Sequence, residues 1–271
     1  MGSWTLDDIP WERFDPTKVD GGLLRIVKAA SLVEQNGADY ARYLCGVFHD
    51  DDTFRRVALE WGAEEVQHGQ ALGRWARLAD PGFDHEAASR RFTAGFRVDL
   101  DAERSVRGSR AGELVARCIV ETGTSSYYTA LGEAAAEPVL KEICRRIAAD
   151  ELRHYKLFYT HLKRYLAQDD IGRWRRLAVA LGRIGETEDD ELSYAYHAAN
   201  DAVLPYDRRR AAAAYMRRTY SVYRRHHIER AIAMVFKAVG LEPQGRLSRW
   251  TARLAWWNMR RRATRLARMA A

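Results

Sequence analysis

Apolar residues recur three and four positions apart along most of the chain, and alternating strand-like runs are absent. The first such stretch spans about 21–48. It carries Leu24, Val27, Leu32, Val33, Tyr40, Leu44 and Val47, with Asp20 placed to cap it. Asp50-Asp51-Asp52-Thr53 reads as a turn and cap. The helix that follows runs to about Leu78, where Asp80-Pro81-Gly82 stops it. A short helix is expected from about His85 to Val98. Gly108-Ser109 opens a third long helix over about 110–135. Glu137-Pro138 opens a fourth, which reaches about Ala167 through Leu140, Ile143, Cys144, Ile147, Leu157 and Phe158. Beyond Asp169-Asp170 the pattern predicts helices near 171–184, 187–203 and 207–239, and a last one from Gln244 to Met269. None of the six prolines falls inside a periodic stretch. The expected fold is all-α: an arm over 1–19, a four-helix bundle over 20–168 and a helical extension over 169–271.

Two strings on these helices carry chemistry, Glu65-Val66-Gln67-His68 and Glu151-Leu152-Arg153-His154. Three residues apart on a helix means one face, so each carboxylate and imidazole can reach a single ion. Glu34 stands 31 positions before Glu65, and Glu121 stands 30 before Glu151. Glu…Glu-x-x-His thus occurs twice in the order expected of a carboxylate-bridged two-metal site in a four-helix bundle. The bland alternative makes these residues exposed, salt-bridging helix positions; the matched upstream glutamates weigh against it. Four carboxylates in a core would repel one another without metal, and two divalent ions would neutralise them. Oxygen donors with one imidazole per ion suit iron or manganese. Iron is the default because it reacts with dioxygen, and a manganese–iron pair fits the same ligands. Ala30, Gly37, Ala38 and Ala41 near Glu34 leave room for an ion.

Several neighbours admit two readings. Tyr128 and Tyr155 can donate hydrogen bonds or form a radical near the metals, or serve as core aromatics. Asp150 and Glu64 can bond a metal-bound imidazole from outside the ligand set, or be surface charges. Cys118 and Cys144 read as small core residues, and His161, two turns beyond His154, as a channel-lining candidate. His49, His85, His197, His226 and His227 have no partner at ligand spacing.

Composition narrows the class. Three cysteines without a Cys-x-x-Cys pair speak against a disulfide framework or a thiolate metal site. No leader pattern or long apolar run appears, so the expected location is the cytoplasm, with attachment to the inner face of the membrane left open. Leu6 removes a myristoylation reading of Met1-Gly2. Trp4, Trp11 and Phe14 are expected to pack the arm on the bundle; a membrane-dipping arm is the alternative. Net charge is +7, but residues from Tyr206 onward hold 16 Arg and 1 Lys against three acids, and the rest of the chain is net acidic. In the last helix Leu247, Trp250, Leu254 and Trp257 form a stripe beside Arg246, Arg249, Arg253 and Arg260, followed by Arg261-Arg262.

The duplicated motif resembles the ferritin-like di-iron carboxylate proteins over about residues 20–168. Ala63-Glu64-Glu65-Val66-Gln67-His68-Gly69 and Ala149-Asp150-Glu151-Leu152-Arg153-His154 look most like the branch of acyl-carrier-protein desaturases, with rubrerythrin-like proteins beside it. That branch usually has Arg before the first motif's His, where this chain has Gln67; Arg153 fits the second. The resemblance implies oxygen or peroxide chemistry, with Glu65 and Glu151 as bridging ligands. The expected function is a di-iron oxidoreductase that desaturates or hydroxylates an organic substrate such as a lipid or acyl group. A ferroxidase or peroxide scavenger and a metal-stapled scaffold are the alternatives. No Gly-x-Gly-x-x-Gly fingerprint appears, so electrons would come from a separate ferredoxin or reductase. The basic end admits three readings: the Trp stripe packs on the acidic bundle, lies on an anionic membrane, or docks an acidic partner such as an acyl carrier protein. Nucleic acid is disfavoured, and a homodimer stays open.

Overall fold

A computed structural model describes residues 4–168, 171–186 and 190–268, with the side chain of Asp190 left aside. Asp169-Asp170, the start of the helix expected at 187 and the end expected at Met269 lie outside the described residues. No strand occurs among the described residues. Helices α1 (Gly21–Gln35), α2 (Gly37–Val47) and α3 (Asp52–Ala79) make one hairpin; α5 (Arg110–Ala134) and α6 (Pro138–Leu166) make the other, and α3 packs on α6. The short α4 (His85–Gly95) lies in the connection between them. Local capping sets the starts. Asp20, Asp51, Asp84 and Ser109 each accept from a backbone N–H in the first turn of α1, α3, α4 and α5. Glu137 is buried; it accepts from Val139 N and Leu140 N, and also from Trp75 Nε1 at 2.7 Å.

The helix expected over 21–48 is two. Asn36 breaks it, at an Asn-Gly pair that marks a turn in its own right, and the break fits the packing on α3. A Cβ on Gly37 would sit 2.3 Å from Glu65 Cβ, and one on Gly69 would sit 2.4 Å from Gln35 N. The bend lays α2 backbone directly on α3. The helix expected over 207–239 is also two, α9 (Arg208–Val222) and α10 (Arg225–Val239), parted by extended backbone at Tyr223 and Arg224.

Two apolar cores fill the bundle. One takes Ile26–Leu32 of α1, Ala71–Ala76 of α3, Tyr127–Leu131 of α5 and Val139–Ala148 of α6, together with Trp4 and Ile9 of the arm. The other takes Ala41–Val47, Phe54–Trp61, Ala111–Ile119 and Tyr155–Tyr165. On each long helix the motif residues fall in the gap between these cores.

Helices α7 (Arg173–Glu186), α8 (Asp190–Asn200), α9, α10 and α11 (Arg246–Arg268) wrap this bundle. α8 lies on α1 and α4, α7 and α10 lie on α5, and α11 lies on α9 and α10. α11 does not pack its Trp stripe. Ser248 and Ala252 are buried, whereas Leu247, Trp250, Leu254 and Trp257 are 46–60% exposed. Small residues let α11 approach its neighbours closely, which turns the large side chains outward. No described helix is long and apolar enough to cross a membrane.

Candidate metal centre

Helix geometry brings the six motif residues into one buried layer. Two groups form there: Glu34, Glu65, His68 and Glu151, and Glu65, Glu121, Glu151 and His154. In each, one ligand atom per residue lies within 4.8 Å of the others, and Glu65 and Glu151 belong to both. His68 Nδ1 is 3.3 Å from Glu151 Oε1 and 3.7 Å from Glu34 Oε2. His154 Nδ1 is 3.0 Å from Glu65 Oε1 and 3.6 Å from Glu121 Oε2.

The outer nitrogen of each imidazole is held by an acid from the opposite motif. His68 Nε2 lies 3.1 Å from Asp150 Oδ2, and His154 Nε2 lies 2.7 Å from Glu64 Oε2. A carboxylate only accepts, so Nε2 carries a proton, and Nδ1, turned to the layer, is the nitrogen that would offer its lone pair to a metal. Arg153 spans both acids, at 2.6 Å from Asp150 and 3.3 Å from Glu64. Trp4 donates its Nε1–H to Asp150 at 2.6 Å and stacks on His68 with ring centroids 6.0 Å apart. Gln67 uses its amide to hold Trp4 O at 2.9 Å. Thus Gln67 and Arg153, at equivalent motif positions, have different tasks: one anchors the arm, the other ties the two supporting acids.

The layer is electrostatically expensive as protein alone. Glu34 Oε2, Glu65 Oε1, both oxygens of Glu121, Glu151 Oε1 and the Nδ1 atoms of both histidines are buried without a hydrogen bond. Burial, with Glu151 and Glu34 beside it, pushes the Glu65 carboxyl well up; burial and Glu151 push Glu121 up to about 8. Burial works against a charged His68 or His154, yet the surrounding carboxylates hold both imidazoles well above their ordinary value. Burial works against a charged Glu151, yet the His68 and His154 imidazoles beside it hold it below its ordinary value. Orphaned ligand atoms on all six residues, with four carboxylates to balance two divalent charges, fit a pair of hard divalent ions.

Tyr128 donates to Glu34 Oε1, and Thr124, not singled out by spacing, donates to Glu151 Oε2. Tyr155 does not join the site. One position past His154 turns it about 100° around α6, and its hydroxyl donates to Met234 O at 2.9 Å. Cys118 and Cys144 are buried core residues. His161 packs its edge on Phe54 and does not line the cavity. A third cluster, Glu133, His226 and His227, does not make a metal site. His227 Nδ1 accepts Arg224 N–H, so Nε2 carries the ring proton and offers no lone pair.

A cavity of about 370 Å³ stands over the layer. Glu34, Glu65, Glu121 and Glu151 line its floor, and Tyr127, Tyr128, Ile119 and Leu192 line its walls. The extension adds Tyr215, Met216, Tyr220, Tyr223 and Met259 to its walls, with Arg183, Glu186 and Glu191 also along them. The sequence holds no local signal for those residues, because they come from the extension, far along the chain from both motifs.

Fold and site together define an all-helical bundle with two shared-carboxylate clusters able to hold metal. A family model described as fatty acid desaturase matches residues 38–181, just over half of the chain. The chain belongs to that family, which is part of the ferritin-like di-iron superfamily, and its domain is that of a desaturase-like oxidoreductase. A search of curated proteins found no match.

Proposed function

We propose that the protein is a di-iron oxidoreductase that desaturates or hydroxylates an organic substrate, of lipid or acyl type, bound in the cavity over the carboxylate layer. One observation carries this reading: orphaned atoms of six residues converge in one buried layer, and the four glutamates among them floor a cavity whose walls are mostly apolar. Glu34 and His68 would hold one ion, Glu121 and His154 the other, and Glu65 and Glu151 both. Bound iron would supply dioxygen activation and the two-electron oxidation of the substrate. The protein's own part is positional. Asp150 and Glu64 fix each ring with Nδ1 inward, and Arg153 and Trp4 fix Asp150. Tyr128 and Thr124 orient Glu34 and Glu151 by donating to one oxygen of each. The aromatic and aliphatic walls keep water from the reacting carbon and hold the substrate against the layer. A separate ferredoxin or reductase would deliver electrons.

The test is anaerobic loading with ferrous ion, then oxygen, with and without acyl substrates. Oxidation of two irons per chain coupled to a changed substrate is the expected result. Turnover of many irons into a mineral, with no change in any substrate, favours iron handling instead. Glu65→Ala and Glu151→Ala should each lose at least one metal; two irons retained in both variants would sink the ligand assignment.

A further inference from the structure

We propose that the outward face of α11 binds the surface of an anionic membrane. The proposal does not depend on the chemistry of the metal layer. At 100° per residue, Ser248, Ala252, Met259 and Ala263 share the inner face of α11, and Leu247, Trp250, Leu254 and Trp257 fall almost opposite. These four large side chains are all exposed. Arg246, Arg249, Arg253 and Arg260 run along one flank of the stripe, and Arg261, Arg265 and Arg268 continue it towards the C-terminal end. The helix holds eight arginines and no acid. Arg261 lies over the Trp257 ring at 5.5 Å.

A helix of this make-up suits the boundary between water and lipid. Indole and leucine enter the headgroup level while guanidinium groups stay with lipid phosphates. A further exposed indole stands on α7. Trp174, at the start of α7, is 84% exposed between Arg173 and Arg175. The guanidinium of Arg176 lies against Gly240, where a Cβ would meet Nη2 at 2.7 Å, so the start of α7 abuts the turn that precedes α11.

Other occupants fit less well. A two-fold contact with a second copy would bring two arginine rows together. A purely acidic protein surface would answer the arginines but leave two indoles and two leucines without an apolar partner. Lipid answers both. Met259, on the inner face of α11, and Ile184, exposed on α7, both line the cavity over the carboxylates. A membrane held against α11 would thus lie one helix away from the cavity that we assign to the substrate.

The experiment is sedimentation of the full chain with vesicles of phosphatidylcholine alone and of phosphatidylcholine mixed with phosphatidylglycerol. The mixed vesicles should bind at least about tenfold more tightly, and added salt should weaken that binding. Trp250→Ser combined with Trp257→Ser should lower binding by about tenfold or more. Both side chains face water, so metal content and helicity should match the parent chain. Trp174→Ser should give a smaller loss. Equal binding by the parent and the double variant, or none by either, would overturn the proposal. So would a concentration-dependent dimer abolished by the same pair, which assigns the face to a second copy. Vesicle binding that falls with Arg249→Gln and Arg253→Gln but not with the tryptophans would also overturn it, as plain charge attraction.

Discussion

In the first hairpin the chain leaves helical geometry just after its upstream ligand; in the second it does not. Glu34 is followed at once by the bend at Asn36, which lays Gly37 on Glu65. Glu121 sits within an unbroken α5, and Gly123, two positions on, faces open space. The supports differ in the same sense. Asp150, behind His68, is buried and takes bonds from Trp4 and Arg153. Glu64, behind His154, is a quarter exposed and, among the described residues, takes a hydrogen bond from Arg153 outside the imidazole. Both oxygens of Glu121 lack partners, and Val120, Gly123 and Thr124 line the cavity. One ligand order therefore sits in two settings: the glutamates of both halves floor the cavity, but the first half is the more tightly packed and the more firmly supported.

The largest test of that asymmetry is at the supporting acids. Asp150→Ala strips His68, Trp4 and Arg153 of a shared acceptor at once. Its ferrous affinity should fall about a hundredfold, against about tenfold for Glu64→Gln, the two ends of the usual range for such outer partners. Anaerobic ferrous titration measures both. Equal losses would mean that the two imidazoles are supported alike.

Backbone packing gives the next contrast. Gly37→Ala forces a methyl against Glu65 and should cost about 1–3 kcal/mol. Gly123→Ala meets nothing within 4 Å and should gain about 0.5–1 kcal/mol from helix propensity alone. Urea unfolding of the two variants compares the halves directly. A neutral Gly37→Ala would remove the claim that the first half is the tight one.

Periodicity located the long helices because each buries an amphipathic face, and duplication located the six converging residues because their spacing repeats. What stayed hidden was set across space. Asn36-Gly37 is a turn signal that the apolar period runs straight through; the sequence did not show that the break lays Gly37 on Glu65, of another helix. Asp150 and Glu64 were visible as acids beside ligands, yet each supports the histidine of the other motif. Tyr155 looked close because it follows His154, but a step of one residue points it at α10. The stripe on α11 was legible as a stripe. Its outward turn was not, because the packing face is made of Ser248 and Ala252, which carry little hydrophobic signal. The arm shows the converse: its aromatics pointed to packing on the bundle, but only the fold shows Trp4 touching His68 and Asp150.

The smallest effect concerns the end of the bundle, where the two halves meet without any ligand. Asp51 caps α3 through Phe54 N at 3.0 Å, and it also accepts from Tyr165 at 2.7 Å and pairs with Arg164, both on α6. Burial raises its pKa, but Arg164, Tyr165 and the cap bond pull the carboxyl from its ordinary 3.8 down to about 2. A depressed carboxylate stabilises the fold fully above its unfolded value and loses that contribution as pH falls through the folded one. Asp51→Ala should therefore cost about 0.5–2 kcal/mol near neutrality, and the gap from the parent chain should close as pH drops from about 4 to about 2. Urea midpoints of both proteins across that range measure it. Asp51→Asn keeps a capping oxygen without the charge, so it should recover the cap's share while losing the pH dependence. A parent–variant gap that persists at the acid end would mean that Asp51 joins the hairpins by shape alone, and the cross-bundle clamp would have to be sought in Phe48, Phe54 and Tyr165 packed beside it.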